Sequence, residues 1–217
     1  MAFKKKSKES AVSESPAEFF RTLTQRALPD VMPHQKEVLK KYGDSFLTAP
    51  DVALQLPTGS GKTLVGLLIA EWRRRKFGER VVYLCPTRQL VHQTVNQAHN
   101  QYGIDVVGLA GSKRKFSADA KAAFQTGQKV AVTTHSSVFN TSPFFTSPDV
   151  IIIDDSHAAE NYIAGFWSLE IRANEPTHAA LHAALSTLLR DYISAHDHAR
   201  LTGDWRDVAD ATWVDKL

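Results

Sequence analysis

A single cysteine in 217 residues, Cys85, leaves no partner for an intramolecular disulfide and excludes a multi-cysteine zinc site. Long apolar runs are also missing. The longest all-aliphatic run, Val150 to Ile153, stops at Asp154, far short of the ~18 residues a membrane span needs. The N-terminus reads Met-Ala-Phe-Lys-Lys-Lys-Ser-Lys with no apolar segment behind it, so no secretory signal is expected and the cytoplasm is the expected compartment. Neither sign of charge dominates: 26 Lys and Arg stand against 23 Asp and Glu, a net charge of +3. That balance excludes a histone-like binder, and permits a nucleic-acid partner without demanding one. Hydrophobic residues reach 43%, enough for the core of one large domain or of one domain with an appendage.

The chain is expected to have three parts. Residues 1–16 are rich in Lys, Ser and Glu and read as a disordered basic tail. Over 17–171, apolar runs of strand length alternate with helical patterns. The expected strands are Val52–Leu56, Val81–Cys85, Val106–Leu109, Val130–Thr133 and Val150–Asp154. The expected helices are Ala17–Ala27, Pro33–Lys41, Thr63–Lys76, Gln89–Tyr102 and Ser117–Thr126. Strand, helix, strand repetition with unbroken Val, Ile and Leu predicts an α/β fold, a mostly parallel sheet covered by helices on both faces. Residues 172–217 read as a helical extension: a long helix from Pro176 through Ile193, then a short one after Asp204 with Trp205, Val208 and Trp213.

Leu56-Pro57-Thr58-Gly59-Ser60-Gly61-Lys62-Thr63 follows an apolar run and opens a helix, the setting in which a phosphate loop is credible. Glycines let backbone N–H groups turn around phosphate oxygens, and the helix N-terminus adds partial positive charge. Lys62 can reach the β- and γ-phosphates, and Thr63 can offer its hydroxyl to Mg²⁺. Leu56 stands where the general pattern has glycine. A second motif, Val150-Ile151-Ile152-Ile153-Asp154-Asp155-Ser156-His157, is a strand ending in two carboxylates. Ligands of parallel sheets sit at the carboxyl ends of strands. Asp154 is therefore a candidate Mg²⁺ ligand and Asp155 a candidate orienter of the attacking water. The competing reading makes the pair a cap for the next helix.

Together with Pro86-Thr87-Arg88-Gln89-Leu90-Val91-His92-Gln93, these motifs resemble motifs I, Ia and II of superfamily-two helicases, the DEAD/DEAH-box group, over about Pro33 to Glu160. The resemblance implies a RecA-like P-loop NTPase lobe that uses ATP and Mg²⁺ and acts with DNA or RNA. It implies that Thr58, Gly59, Ser60, Gly61, Lys62 and Thr63 hold the nucleotide and that Gln35 reads adenine. Pro86, Thr87 and Arg88 would contact the nucleic-acid backbone. Gly111-Ser112-Lys113 and Thr133-Thr134-His135 resemble later backbone-contacting turns, with Gly111, Lys113, Thr133 and Thr134 as candidate contacts. His157 resembles the residue that links nucleotide state to the partner lobe.

The family usually has Glu where Asp155 stands, one methylene longer. A second RecA-like lobe with its arginine finger, and a Ser-Ala-Thr-like motif after the acidic strand, belong to the family pattern and are not found here. The expected protein is thus the first motor lobe, with part of an insertion before a missing second lobe. Two alternatives stay open: the translocase lobe of a restriction or phage-defence enzyme, and a nucleotide-binding interaction module with little hydrolysis. Arg73, Arg74, Arg75 and Lys76 end a helix, where cations complement the dipole. His178 and His182 are read as helix-surface residues and Cys85 as a small buried hydrophobe.

Overall fold

Four aliphatic runs become strands: β1 (Val81–Cys85), β2 (Val106–Gly108), β3 (Val130–Thr134) and β4 (Val150–Ile153). They form one sheet of order β2-β3-β1-β4, parallel throughout. Residues 13, 15–57 and 59–204 are described by this computed structural model. The chain divides into two compact units, one ending at Phe166 and the other beginning at Trp167.

The strand order dictates where the helices go. From β1 the chain passes through α4 (Arg88–Gln97) and a π-turn (Ala98–Tyr102) to β2, two places away. From β2 it returns through α5 (Ala118–Gln125) to β3. Right-handed crossovers running in opposite directions lie on opposite faces of the sheet. The cores follow. Val81, Tyr83 and Cys85 join Val91 of α4 and the apolar side of α3 (Lys62–Phe77), including Leu64, Leu67, Leu68 and Trp72. The alternate residues Val82 and Leu84 face Phe116, Phe124 and Phe145. β1 and β3 are buried along their whole length, as suits strands with no charged side chain inside a covered parallel sheet. α1 (Pro16–Thr22) and α2 (Pro33–Ser45) extend the first core with Phe19, Phe20 and Leu39.

β4 is different. It pairs only with β1 among the described residues, and Ile151 and Ile153 remain 40% and 37% exposed. The expected strand Val52–Leu56 does not form. Among the described residues, no backbone hydrogen bond joins residues 50–56 to a neighbour. The segment instead borders a cavity of about 280 Å³ with Val38, Tyr42 and Phe46 of α2 and its flank. An aliphatic run becomes a strand only when another strand completes its ladder, and none lies beside this one.

Other boundaries shift for local reasons. α1 ends at Thr22 because Leu23 turns extended, and Arg26 Nη1 donates to the Arg21 and Leu23 carbonyls at 3.0 and 2.6 Å. The end of the expected tail is anchored: Ser15 caps α1, and Trp72 Nε1 donates to the Ser13 carbonyl at 2.8 Å. The rest of that tail, Ser13 and Ser15–Pro16 apart, lies outside the described residues, as does the expected helix after Asp204. The arginine run is absorbed by structure. Arg74 and Arg75 pair with buried Glu71 at 2.7 and 2.6 Å, and Arg73 pairs with Glu79 at 2.6 Å. Beyond β3 and β4 come α6 (His135–Val138) and α7 (Ser156–Trp167). In the second unit, α8 (Ala179–Leu189) is shorter than expected and α9 (Ala195–Thr202) was not foreseen; His198 Nε2 lies 3.1 Å from the Ser186 carbonyl between them. Among the described residues, no helix is long and apolar enough to cross a membrane.

One residue sets how closely α3 meets the sheet. A Cβ on Gly66 would stand 2.8 Å from Tyr83 Cε2 and 3.5 Å from Ile152 Cγ2. Gly66→Ala would gain up to ~1 kcal/mol of helix propensity, but overpacking against a buried ring costs about 1–3 kcal/mol. The expected result is a lower denaturant midpoint at unchanged slope. A higher midpoint would show that α3 does not sit this close.

Candidate functional site

The site begins at the turn into α3. Gly59 and Gly61 both have positive φ, 77° and 78°, and Gly61 is the residue before the helix. This left-handed geometry suits glycine, and at Gly61 a Cβ would lie 2.3 Å from Gln35 Nε2, so any larger residue would push the Gln35 amide from its place. Gln35 is buried. Its Nε2 donates to the Ser60 carbonyl at 2.7 Å, and its Oε1 accepts from the Met32 N–H at 2.9 Å. His34 Nε2 lies 3.1 Å from the same Ser60 carbonyl. Gln35 thus braces the loop, a part that sequence reasoning did not assign to it. Lys62 opens α3 and is exposed, with Thr63 beside it. Thr58 lies outside the described residues.

The acidic pair arrives from β4. The Asp154 N–H donates to the Leu84 carbonyl at 2.9 Å, extending the ladder by one bond. Asp154 is half-buried, and burial raises its pKa; the Tyr83 hydroxyl, the Lys62 ammonium and His135 work in the opposite direction. Tyr83 stands between the two halves of the site, since its buried hydroxyl is a neighbour of both Asp154 and Thr63. Sequence reasoning missed this residue, which stands in the strand Val81–Cys85 as one more apolar position.

Asp155 is exposed and has φ 59°, the one non-glycine residue with positive φ among those described. That conformation costs of order 1–3 kcal/mol and is typical of functional sites. Its carboxylate also faces the first turn of α7, where Oδ1 lies 3.4 Å from the Ala158 N–H. The capping reading therefore has a geometric basis, though the bond is long. His157 sits in that first turn, exposed.

A second group gathers at the carboxyl ends of β1, β2 and β3. Pro86 is half-buried, and Thr87 caps α4 by accepting from the Leu90 N–H at 3.2 Å. Arg88 is exposed and lies beside Gly111, where a Cβ would be 3.7 Å from its guanidinium carbon. Lys113 Nζ donates to the Ser142 carbonyl and hydroxyl at 2.7 Å each. Gly111 and Lys113 line a polar cavity of about 160 Å³ with Ser136, Ser137, Asn140 and Ser142. Thr133 is not brought to this surface. It is wholly buried, with its hydroxyl donating to the Leu109 carbonyl, so it ties β2 to β3 instead. Thr134 is nearly buried and bonds Ser136 Oγ at 2.8 Å. Cys85, at the end of β1, is buried, and burial pushes its thiol up to about 11, which makes it a poor nucleophile at neutral pH.

The loop and acids fit a magnesium nucleotide. Glycine N–H groups, a helix start, an exposed lysine, a threonine hydroxyl and a carboxylate are the donor set such a ligand requires. Among the described residues, no cluster of three or more His, Cys, Asp or Glu could hold a metal ion, so Mg²⁺ would have to share its coordination with phosphate oxygens and water.

The raised pKa of Asp154 has a stability consequence. A carboxylate whose folded pKa is raised favours the folded state when protonated, and that contribution is lost as pH rises through the folded value. At pH 7 and without metal, ionised Asp154 opposes folding. Asp154→Asn should therefore raise the thermal midpoint in chelator at pH 7, and the gain should close as pH falls through the carboxylate range. A lower midpoint at pH 7 would show that burial does not dominate at this carboxylate.

Comparison with known proteins gives the relationship. Among solved structures, the chain is similar to the UvsW helicase from bacteriophage T4, at 17% identity and TM-score 0.49, over 70% of this chain and 55% of that one. It therefore spans about half the length of that protein. No curated protein matches the chain. A family model described as DEAD/DEAH box helicase matches residues 32–170, the stretch that holds Gln35, the phosphate loop, Arg88 and the Asp154–Asp155 pair. The chain belongs to the DEAD/DEAH box helicase family.

Proposed function

We propose that the chain is the ATP-binding lobe of a nucleic-acid-dependent ATPase, whose hydrolysis is coupled to movement on, or remodelling of, DNA or RNA. The observation that carries this reading is the nearness of the start of α3 to Asp154: the Lys62 ammonium acts on that carboxylate electrostatically, and the Tyr83 hydroxyl is a neighbour of both Asp154 and Thr63. Magnesium, when bound with ATP, supplies positive charge against the β- and γ-phosphates. The chain's own parts divide the remaining work. Backbone N–H groups of Gly59, Ser60 and Gly61 cradle the phosphates, with Thr58 as a further candidate. Lys62 binds phosphate oxygens. Thr63 and Asp154 hold the metal, and Asp155 orients the attacking water. Gln35 keeps an N–H and a lone pair beyond those spent on Ser60 and Met32, which leaves it able to read a base edge. His157, exposed on the first turn of α7, is a candidate link to a second lobe.

Nucleic acid would lie across Pro86, Thr87, Arg88, Gly111 and Lys113. This surface offers backbone-directed contacts, as a motor that must hold any sequence requires. Thr134 would contribute through its tie to Ser136. A second RecA-like lobe, in the rest of a longer chain or in another subunit, is the proposed partner, and the cytoplasm the proposed compartment. The uncovered Ile151 and Ile153 at the open edge of β4 support further covering structure on this lobe.

Lys62→Ala removes a charge-assisted phosphate contact worth about 1.5–3 kcal/mol. Calorimetry should show ATP affinity falling at least tenfold, and equal affinity for both proteins would overturn the nucleotide reading. Arg88→Ala should weaken oligonucleotide binding equally for unrelated sequences and reduce the salt dependence of log K by about one phosphate contact. A loss confined to one sequence would mean that Arg88 reads bases instead.

A further inference from the structure

His135 is the residue that the assigned site leaves unexplained. It follows the last residue of β3, opens the single turn of α6 and is 2% exposed. Its Nε2 is the one buried side-chain nitrogen or oxygen among the described residues without a hydrogen-bond partner. An orphaned buried polar atom costs about 1–3 kcal/mol, so such an atom calls for a reason.

Its surroundings supply one. Asp154 and Asp155 act on the imidazole electrostatically, and the Tyr162 ring of α7 lies 6.3 Å away between centroids. Burial favours the neutral ring, which keeps one N–H to donate. On its other side, the same turn faces the polar cavity. Ser136 and Ser137, the next two residues, line that cavity with Gly111 and Lys113. Thr134 Oγ1 lies 2.8 and 3.2 Å from their hydroxyls, and the Phe139 N–H closes the turn on the His135 carbonyl at 2.9 Å. Three consecutive residues therefore join the candidate nucleic-acid cavity to the acidic pair, and a turn this short has little room to move at one end without moving at the other.

We propose that His135 is a positioning residue that couples the two ligand sites: a phosphate seated against Ser136 and Ser137 shifts α6, and Nε2, taking the ring's one proton, then finds its partner on a carboxylate oxygen of the Asp154–Asp155 pair. The inference rests on the nucleotide and nucleic-acid reading above. It accounts for the orphaned nitrogen as a bond made only when both ligands are bound.

The test measures coupling between two binding events, so it needs no hydrolysis and uses the chain as it stands. The affinity of a fluorescent single-stranded oligonucleotide of mixed sequence is measured with and without saturating Mg²⁺ and a non-hydrolysable ATP analogue. Wild type should show coupling of about tenfold, equal in both directions. His135→Phe fills the space without a donor and should reduce the coupling to less than twofold, with the analogue's own affinity kept. His135→Gln can donate from a similar place and should retain most of it. Should the Phe variant not fold, as judged by circular dichroism, His135→Leu takes its place. A purely structural histidine would change the melting temperature and leave the coupling ratio alone. Undiminished coupling in the Phe or Leu variant, or no coupling in a wild type that binds both ligands, overturns the proposal. A wild type that binds neither ligand overturns the functional reading itself.

Discussion

The contact on which the site depends is the approach of α3 to the sheet at Gly66. Without a side chain there, the helix settles onto the Tyr83 ring, whose hydroxyl is a neighbour of Asp154 and Thr63. The glycine turn leads into the N-terminal end of α3, and Asp154 follows the carboxyl end of β4. The spacing between these two ends is therefore set by how far α3 stands from β1 and β4. Any residue larger than glycine at position 66 would move the lysine and threonine relative to the carboxylate. The Gln35 amide performs a similar task from the other side, holding the Ser60 carbonyl so that the loop keeps its glycine-only bend.

Much of this was legible in the residues. Strands β1, β3 and β4 carry Val, Ile and Leu with no Gly or Pro inside them, and for β1 and β3 that composition goes with burial along the whole strand, while β4 keeps Ile151 and Ile153 exposed. The places of Gly59–Thr63, at the turn into α3, and of Asp154 and Asp155, after β4, were legible because a nucleotide-binding reading asks for particular residue types in a particular order. What was not legible depended on neighbours. Val52–Leu56 has the composition of a strand and forms none, because pairing is a property of two segments and no ladder partner lies beside it. Thr133 looked like a contact residue but spends its hydroxyl on the Leu109 carbonyl. Tyr83 gave no signal, since an aromatic within a strand is ordinary. Gly66 did give one: a lone glycine inside a helical pattern costs stability and usually has a packing reason.

Asp155 shows two demands meeting on one side chain. At the head of α7 it has the position of a helix cap, and its Oδ1 faces the Ala158 N–H at 3.4 Å. An N-cap normally has extended backbone, whereas Asp155 is left-handed at φ 59°. A cap alone would not account for that strain, because an extended Asp would bond the helix better. The longer glutamate usual in the family could extend past the helix end. Aspartate, one methylene shorter, reaches less far from the same backbone position. The strained φ and the long capping bond therefore go together: the left-handed backbone leaves Oδ1 3.4 Å from the Ala158 N–H, a weaker cap than an extended Asp would make.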